Sequence, residues 1–236
     1  MIAALLAAGL AVEPSARVAV ERVPTHPTLD RWVRARGGAV PGTPRPETAA
    51  ATLVAHDGAC AIVTNHHVVA GARSIEVELA DGRLIGVDPA TVRVGPDEDL
   101  AWLGRLAVGP CPPLAPWPDP TTPVHATGPA NGVDPARFEG STAGTVSWAL
   151  PHRASTTYGR LHLAVAPGLS GAPVISPSGA VVGVIVAGSR ADSPLAGDGL
   201  AIPGERVAAW LARYASSSAA GGAPPSPSSE SATGIR

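Results

Sequence analysis

Short apolar runs recur along this chain, and Gly or Pro interrupts the pattern every few residues. Many short strands between such turn residues predict an all-β sandwich or barrel. Asp81-Gly82 and Ser178-Gly179 stand between such runs and predict hairpin turns. About twelve strands are expected: Ala51–Ala55, Ala59–Thr64, Ser74–Leu79, Leu84–Val87, Thr91–Val94, Leu100–Leu106, Val124–Thr127, Ser141–Trp148, Arg160–Val165, Ala172–Ser176, Val181–Ala187 and Leu200–Ile202.

A proline-rich segment divides these strands into two groups. Residues 110–123 contain seven prolines in fourteen positions, which excludes a helix or a central strand and predicts a connector between two β halves. After the last strand, one apolar face with helical spacing predicts a terminal helix. The residues of that face are Val207, Trp210, Leu211 and Tyr214. The pattern therefore predicts two β-barrels, a connector and a C-terminal helix.

The two ends of the chain lie outside this pattern. Ile2 to Val12 form an apolar run that is too short to span a bilayer, which needs about 20 residues. Small residues follow it, as in a secretory leader, so we expect residues 1–16 to be a signal peptide; an ordinary buried segment is the alternative, because no positive charge precedes the run. Residues 216–236 are mostly Ser, Ala, Gly and Pro and predict a disordered tail. We expect no membrane span in the mature chain.

Composition narrows the class of protein. The chain is 45% apolar and 15% charged, which argues against global disorder. Its net charge of −2 provides no basic patch, so we do not expect it to bind nucleic acid. The only two cysteines, Cys60 and Cys111, leave two alternatives open: a disulfide, as in exported proteins, or a buried apolar thiol at Cys60.

Three polar clusters carry the residue types of nucleophilic catalysis, at residues 64–69, 97–102 and 167–173. A serine hydroxyl is a weak nucleophile near neutral pH, so it needs a neighbouring base, and the base needs an orienting partner. His, Asp and Ser occur in that order on separate strand ends, where they would meet between two barrels.

The three clusters resemble the motifs of the trypsin-like serine proteases, and within them the bacterial HtrA/Deg-type catalytic domain. Thr-Asn-x-His-Val-Val is filled by residues 64–69, Asp-Leu-Ala by 99–101, and Pro-Gly-x-Ser-Gly-x-Pro by 167–173. The resemblance covers roughly residues 50–212. It implies two six-stranded antiparallel β-barrels, at about 45–110 and about 122–203, followed by a helix at 204–214, within a protease domain of residues 17–215.

The same resemblance implies a role for each site residue. His67 is the expected general base, Asp99 the orienting carboxylate and Ser170 the nucleophile, and the amides of Gly168 and Ser170 form the expected oxyanion hole. Because an acidic run is often a solvated turn, Asp97 remains an alternative to Asp99.

Other assignments compete with this one. Glu98 belongs to the same acidic run, and a serine between glycines is also common in turns. Four potential zinc ligands lie within twelve residues, although adjacent histidines on a strand point to opposite faces. They are His56, Cys60, His66 and His67.

The resemblance also implies the walls of the primary substrate pocket. Neither wall carries a carboxylate that would bind a substrate Arg or Lys, so we expect small to medium aliphatic residues at the cleavage point. Arg190, just beyond one wall, is the residue that would alter this preference. The walls are Ala164, Val165 and Ala166 on one side and Val186, Ala187 and Gly188 on the other.

The expected function is therefore that of an exported serine endopeptidase, in the periplasm or secreted, acting on polypeptide substrates without a metal or other cofactor. Leu169 stands where digestive relatives have an Asp, so the resemblance implies no zymogen switch of their kind. No PDZ-like domain is expected after the protease domain. The alternative is a latent or inactive protease-fold binding module in the cell envelope. The sequence leaves the oligomeric state open.

Overall fold

The computed structural model describes residues 13–22, 47–107, 110–130, 135–149, 155–188, 195 and 197–215. The described residues form two antiparallel β units. The first unit contains seven strands: β1 (Ser15–Arg22), β2 (Glu47–His56), β3 (Ala59–Thr64), β4 (Ala72–Glu78), β5 (Leu84–Val87), β6 (Arg93–Val94) and β7 (Ala101–Leu106). The second contains six: β8 (Pro123–Pro129), β9 (Pro135–Trp148), β10 (Thr156–His162), β11 (Pro173–Ile175), β12 (Val181–Gly188) and β13 (Gly199–Pro203).

Two α-helices complete the described fold. The four-residue α1 (His66–Val69) follows β3 directly, and α2 (Gly204–Tyr214) follows β13. Neither of these helices is long and apolar enough to cross a membrane. The predicted signal peptide falls on residues 1–16 and the predicted tail on 216–236, so all of the tail and residues 1–12 lie outside the described residues.

The first unit differs from the expected six-stranded barrel. Its strands form one seven-stranded sheet in the order β5-β4-β1-β2-β3-β7-β6, so β5 and β6 are its edges. The additional strand is β1, which pairs with β2 on one side and β4 on the other. The predicted start of this unit, near residue 45, omitted that strand.

Strand β1 has the alternating pattern of a half-buried strand. Ala16, Val18 and Val20 are buried, with polar or small residues between them. The Ser15 hydroxyl donates to the carbonyl oxygen of Thr127 in the second unit, at 2.7 Å. The folded part of the chain therefore begins before residue 17.

The second unit is the closed six-stranded barrel that was expected. Its order is β10-β13-β12-β11-β8-β9, and closure leaves no unpaired edge. Apolar residues on β11, β12 and β13 fill its interior. The antiparallel two-unit architecture and the C-terminal helix confirm the predicted fold class.

The region between the units is irregular, as its prolines predicted. Described residues 110–122 contain a single isolated bridge, between Leu114 and Val181. Cys111 in this segment forms a disulfide with Cys60 of β3, with their Cα atoms 5.6 Å apart. The structure therefore selects the disulfide over a buried free thiol, and the bond ties the connector to the first sheet.

One predicted strand is largely replaced by a helical turn. In place of a strand over 91–94, Pro89–Thr91 form a 3-10 helix and only Arg93–Val94 are extended. The cause is local, because the Asp88 carboxylate accepts a hydrogen bond from the amide of Ala90 and Pro89 favours the first helical position.

Helix α2 packs where the two units meet. Of the predicted apolar face, Val207, Trp210 and Leu211 are fully buried and Tyr214 is half-buried. The three fully buried residues belong to one core cluster with Leu100 of the first unit and Ile202 of the second. The terminal helix is therefore part of the junction between the two units.

Candidate active site

His67 lies at the junction of strand β3 and the short helix α1. The hydroxyl of Thr64, at the end of β3, donates to the carbonyl oxygen of Ala50 at 2.7 Å and fixes the strand end. Asn65, which is fully buried, donates from its amide nitrogen to the carbonyl oxygen of Asp99 at 3.0 Å. The first two motifs are therefore joined through the backbone as well as through side chains.

Asp99 receives two hydrogen bonds from His67. The Nδ1 atom of His67 lies 2.5 Å from Oδ2 of Asp99, and the backbone amide of His67 donates to Oδ1 at 3.0 Å. The aspartate side chain is only 5% exposed, whereas that of the histidine is 49% exposed. A buried carboxylate that accepts Nδ1–H fixes the imidazole tautomer and leaves Nε2 to accept a proton.

The neighbouring acidic residues point elsewhere. Asp97 accepts a hydrogen bond from the Tyr214 hydroxyl at 2.8 Å and pairs with Arg213 at 2.7 Å. The hydrogen bond from Tyr214 is the main reason that the pKa of Asp97 is lowered. Glu98 pairs with Arg206. The structure therefore brings Asp99, and neither of its alternatives, to His67.

The Ser170 loop depends on two glycines with positive φ. Gly168 has φ +100°, and a methyl group there would lie 2.7 Å from the carbonyl oxygen of Pro129. Gly171 has φ +86°, and a methyl group there would lie 2.1 Å from the carbonyl oxygen of Ala50. Because both positions combine left-handed backbone with close contact, the loop requires glycine on both sides of Ser170.

The amides of this loop divide into two groups. Those of Leu169, Gly171 and Ala172 donate to the carbonyl oxygens of Ala166, Ile185 and Leu169, at 2.9–3.1 Å. The amides of Gly168 and Ser170 donate to no acceptor within the described part of the chain. These two N–H groups are the pair that the third motif predicted as an oxyanion hole.

His67 and Ser170 line the same cleft between the two units, which has a volume of about 370 Å³. The amide of Ala50 donates to the carbonyl oxygen of Ser170 at 3.0 Å, and the hydroxyl of Thr52 donates to that of Gly171 at 2.7 Å. Strand β2 therefore holds the serine loop against the first unit. The described contacts include no hydrogen bond between Ser170 and His67.

His67, Asp99 and Ser170 all lie within the part of the chain that matches a known protein family. The sequence profile described as "Trypsin-like peptidase domain" matches residues 49–184, which is more than half of the 236 residues. The chain belongs to the trypsin-like peptidase family. Membership confirms the expected class of enzyme, a serine-type endopeptidase, and polypeptides as its class of substrate.

Several solved structures share the fold of this trypsin-like peptidase. The inactive form of Rv3671c from M. tuberculosis H37Rv, a serine-to-alanine mutant, is 19% identical with a TM-score of 0.62, over 88% of this chain and 89% of that one. The active form of Rv3671c is 22% identical with a TM-score of 0.61, over 85% and 81%. The HtrA-type protease AlgW with a decapeptide is 22% identical with a TM-score of 0.63, over 83% of this chain and 62% of AlgW. No curated protein matches the chain.

The predicted pocket walls of the peptidase lie close together. Val165 packs against Gly188, where an added methyl group would lie 3.2 Å from its Cβ. The same side chain covers Gly199, where a methyl group would lie 2.6 Å from Cγ2 of Val165. Ala164 and Gly188 are exposed, Ala166 and Ala187 are half-buried, and Val186 is buried. Arg190 lies outside the described residues.

The zinc alternative loses one of its four ligands, because Cys60 is oxidised in the disulfide and offers no thiolate. No group of three or more His, Cys, Asp or Glu side chains suited to a metal occurs within the described ranges.

A further buried carboxylate in this peptidase, Asp198, was not predicted from the sequence. Its oxygens accept hydrogen bonds from Arg160 at 2.5 Å and from His162 at 2.8 Å. Burial raises the pKa of Asp198, but these hydrogen bonds outweigh burial and hold it below the ordinary value. Because both oxygens are occupied, this carboxylate is not free to bind a basic substrate side chain. The two partners lie 36 and 38 residues away, so no local motif could have revealed them.

A larger cavity of about 500 Å³ lies between strand β1 and strands β8 and β9. Its lining includes Arg17, Glu78, His125 and Arg137, and none of the predicted site residues. Burial, and to a smaller extent the Arg137 charge, lowers the pKa of His125. The larger cavity is therefore separate from the cleft that contains His67 and Ser170.

Proposed function

We propose that this peptidase cleaves peptide bonds through a triad of Ser170, His67 and Asp99. The observation that carries the proposal is the short hydrogen bond from His67 to a buried Asp99, in a cleft that Ser170 also lines. With Nδ1–H donated to Asp99, the Nε2 atom of His67 is left as the base that a serine nucleophile needs.

The reaction proceeds by acyl transfer to water. His67 Nε2 takes the proton of the Ser170 hydroxyl while Oγ attacks the substrate carbonyl carbon, giving a tetrahedral oxyanion. His67 then gives this proton to the leaving amine, and the peptide C–N bond breaks to leave an acyl-enzyme ester. A water molecule, deprotonated by His67, attacks the ester, and the serine leaves with the proton. No step requires a metal or other cofactor.

The oxyanion is stabilised by the amides of Gly168 and Ser170. Both are free of protein acceptors among the described contacts, which supports this role. In related sites, removing one such donor costs about 2.7–4 kcal/mol of transition-state stabilisation.

Peptide hydrolysis by alanine variants tests the proposed triad, and the adjacent histidines His67 and His66 provide a matched test and control. Ser170→Ala and His67→Ala should each lower kcat by roughly 10⁶-fold with an unchanged thermal unfolding midpoint. His66→Ala should remain close to wild type, because it keeps the backbone amide that donates to the Asp99 carbonyl oxygen. Equal loss in both histidine variants, or full activity in Ser170→Ala, contradicts the triad.

We also propose a preference for small or aliphatic residues at the cleavage point. Val165 of one wall packs against Gly188 of the other and covers Gly199, which supports a shallow apolar pocket. Mapping cleavage sites in a peptide library should give Ala, Val and similar residues, and Val165→Gly should shift the preference to larger side chains. Cleavage after Arg or Glu in the wild type contradicts the assignment.

Finally, we propose that the protein acts outside the cytoplasm, in the bacterial envelope or secreted. The Cys60–Cys111 disulfide supports this location, because such bonds persist mainly in oxidising compartments. Fractionation of the source cells, with alkylation of free thiols during lysis, should give an exported and oxidised protein. A reduced protein in the cytoplasmic fraction contradicts the location.

A further inference from the structure

The loop that carries Asp99 rests on the C-terminal helix α2. This loop, residues 95–100, connects β6 to β7 in the first unit. A methyl group at Gly95 would lie 2.5 Å from Nε1 of Trp210 and 2.7 Å from the ring of Tyr214, so the absence of a side chain lets the loop approach the helix. Asp97 is held by Tyr214 and Arg213, as described above. Each of these contacts joins the loop to the same helix.

A further contact of the same loop with helix α2 joins Glu98 to Arg206. The Nε and Nη2 atoms of Arg206 donate to Oε1 of Glu98 at 2.8 and 2.5 Å. The glutamate side chain is 8% exposed, and its Oε2 atom is buried with no hydrogen-bond partner among the described residues. A buried carboxylate depends strongly on its counter-ion, so Glu98 depends on Arg206.

Arg206 also binds the second unit. It donates through Nη1 to the carbonyl oxygen of Thr157 and through Nη2 to the hydroxyl of Thr156 at 2.8 Å, both on β10. Its guanidinium carbon lies 5.8 Å from the centre of the Tyr158 ring. One guanidinium therefore contacts the Asp99 loop of the first unit and a strand of the barrel whose loop carries Ser170.

We propose that Glu98 and Arg206 are positioning residues for the triad, an assignment that rests on the proposed function. Glu98 directly precedes Asp99, so the ion pair fixes the loop whose carboxylate orients His67. Because Arg206 is anchored on β10 as well, the same pair fixes the first unit against the second. Without it, the His67–Asp99 hydrogen bond loosens and the histidine moves relative to Ser170.

The test compares two buried ion pairs of the same kind. Arg206→Met should lower kcat by roughly 10- to 100-fold with little change in KM, because a displacement of about 1 Å has such an effect on catalysis. Arg206→Lys, which keeps the charge on Glu98, should recover part of this loss. The control is Arg160→Met, because Asp198 is also 8% exposed and its loss of Arg160 should lower the thermal midpoint without changing kcat.

A spectroscopic measurement separates positioning from stability. The Nδ1 proton of His67, shared with Asp99, should give a far-downfield proton resonance in the wild type and in Arg160→Met. In Arg206→Met this resonance should shift upfield or broaden at temperatures where the variant is folded. If Arg206→Met does not fold, Arg206→Lys provides the comparison.

The outcomes distinguish the two proposals. A wild type without peptidase activity contradicts the proposed function. An active wild type, with normal kcat and an unchanged resonance in the folded Arg206 variants, contradicts the positioning role alone.

Discussion

The histidine side and the serine side of the cleft are held by different kinds of contact. His67 is fixed by hydrogen bonds from its ring and its backbone amide to the buried carboxylate of Asp99, whose loop rests against helix α2. Ser170 is fixed by backbone hydrogen bonds and by two glycines that let the chain approach Pro129 and Ala50. The histidine side therefore depends on the charge and protonation of its side chains, whereas the serine side depends on the space around its backbone.

This difference predicts how each side responds to substitution. A change of one charged group on the histidine side should alter chemistry and leave the fold intact, since the surrounding strands remain paired. A methyl group added on the serine side should disturb folding and chemistry together, because the contacts there are with backbone atoms that cannot move aside independently.

The largest effect is expected at Asp99. Asp99→Asn should lower kcat by about 10⁴-fold with little change in KM, because the amide no longer holds the productive histidine tautomer. Steady-state kinetics on a peptide substrate measure it. The control is Asp81→Asn, which should be close to wild type, since Asp81 is exposed and bonds only Arg83 among the described residues. Near-wild-type kcat in Asp99→Asn would show that His67 does not need this partner.

A smaller effect is expected for a substitution at Gly171, and Gly179 is the matched control position. Both have positive φ, +86° and +81°, but only Gly171 has a neighbour within 4 Å of an added methyl group. Gly179→Ala should lower the free energy of unfolding by about 1–2 kcal/mol, from the backbone alone. Gly171→Ala should lower it by about 3–5 kcal/mol, because steric overlap is added.

Urea unfolding of both glycine variants measures these differences. Equal destabilisation would mean that the close contact with Ala50 does not constrain the serine loop, and the contrast between the two sides would then fail.

The smallest effect is expected for the buried carboxylate of Asp198, which is not part of the triad. Because the pKa of Asp198 is lowered in the folded state, its ionisation contributes stability above the ordinary Asp pKa of about 3.9, and this is lost as pH falls through the folded value. Asp198→Asn should lower the thermal midpoint at pH 7, and the difference from wild type should narrow below about pH 4. A difference independent of pH would contradict this contribution.

The elements that could be predicted from sequence are those with local signals. Strands β3 and β5 have the predicted bounds, because each is a short apolar run between turn residues. Strand β1 alternates buried and partly exposed residues, but the apolar run before it favours a leader that ends at Ala16. The prediction of a strand over Thr91–Val94 was wrong in its first half, because Asp88 and Pro89 form a capping signal that begins a helical turn.

For the site, too, only the residues with a local sequence signal could be predicted. The order of three motifs predicts His67, Asp99 and Ser170, and the structure places Asp99 beside His67, and Ser170 in the same cleft as His67. The Glu98–Arg206 pair spans 108 residues, and no period or motif connects its members. Contacts that depend on how the two units pack could not be predicted from local patterns.

The most direct test of the account is covalent labelling of the folded protein with a fluorophosphonate, which reacts with activated serines. We predict one labelled site, mapped by mass spectrometry to Ser170, and no labelling in Ser170→Ala. A folded wild type that remains unlabelled, or is labelled at another serine, would contradict an activated Ser170 and favour a latent or inactive binding module.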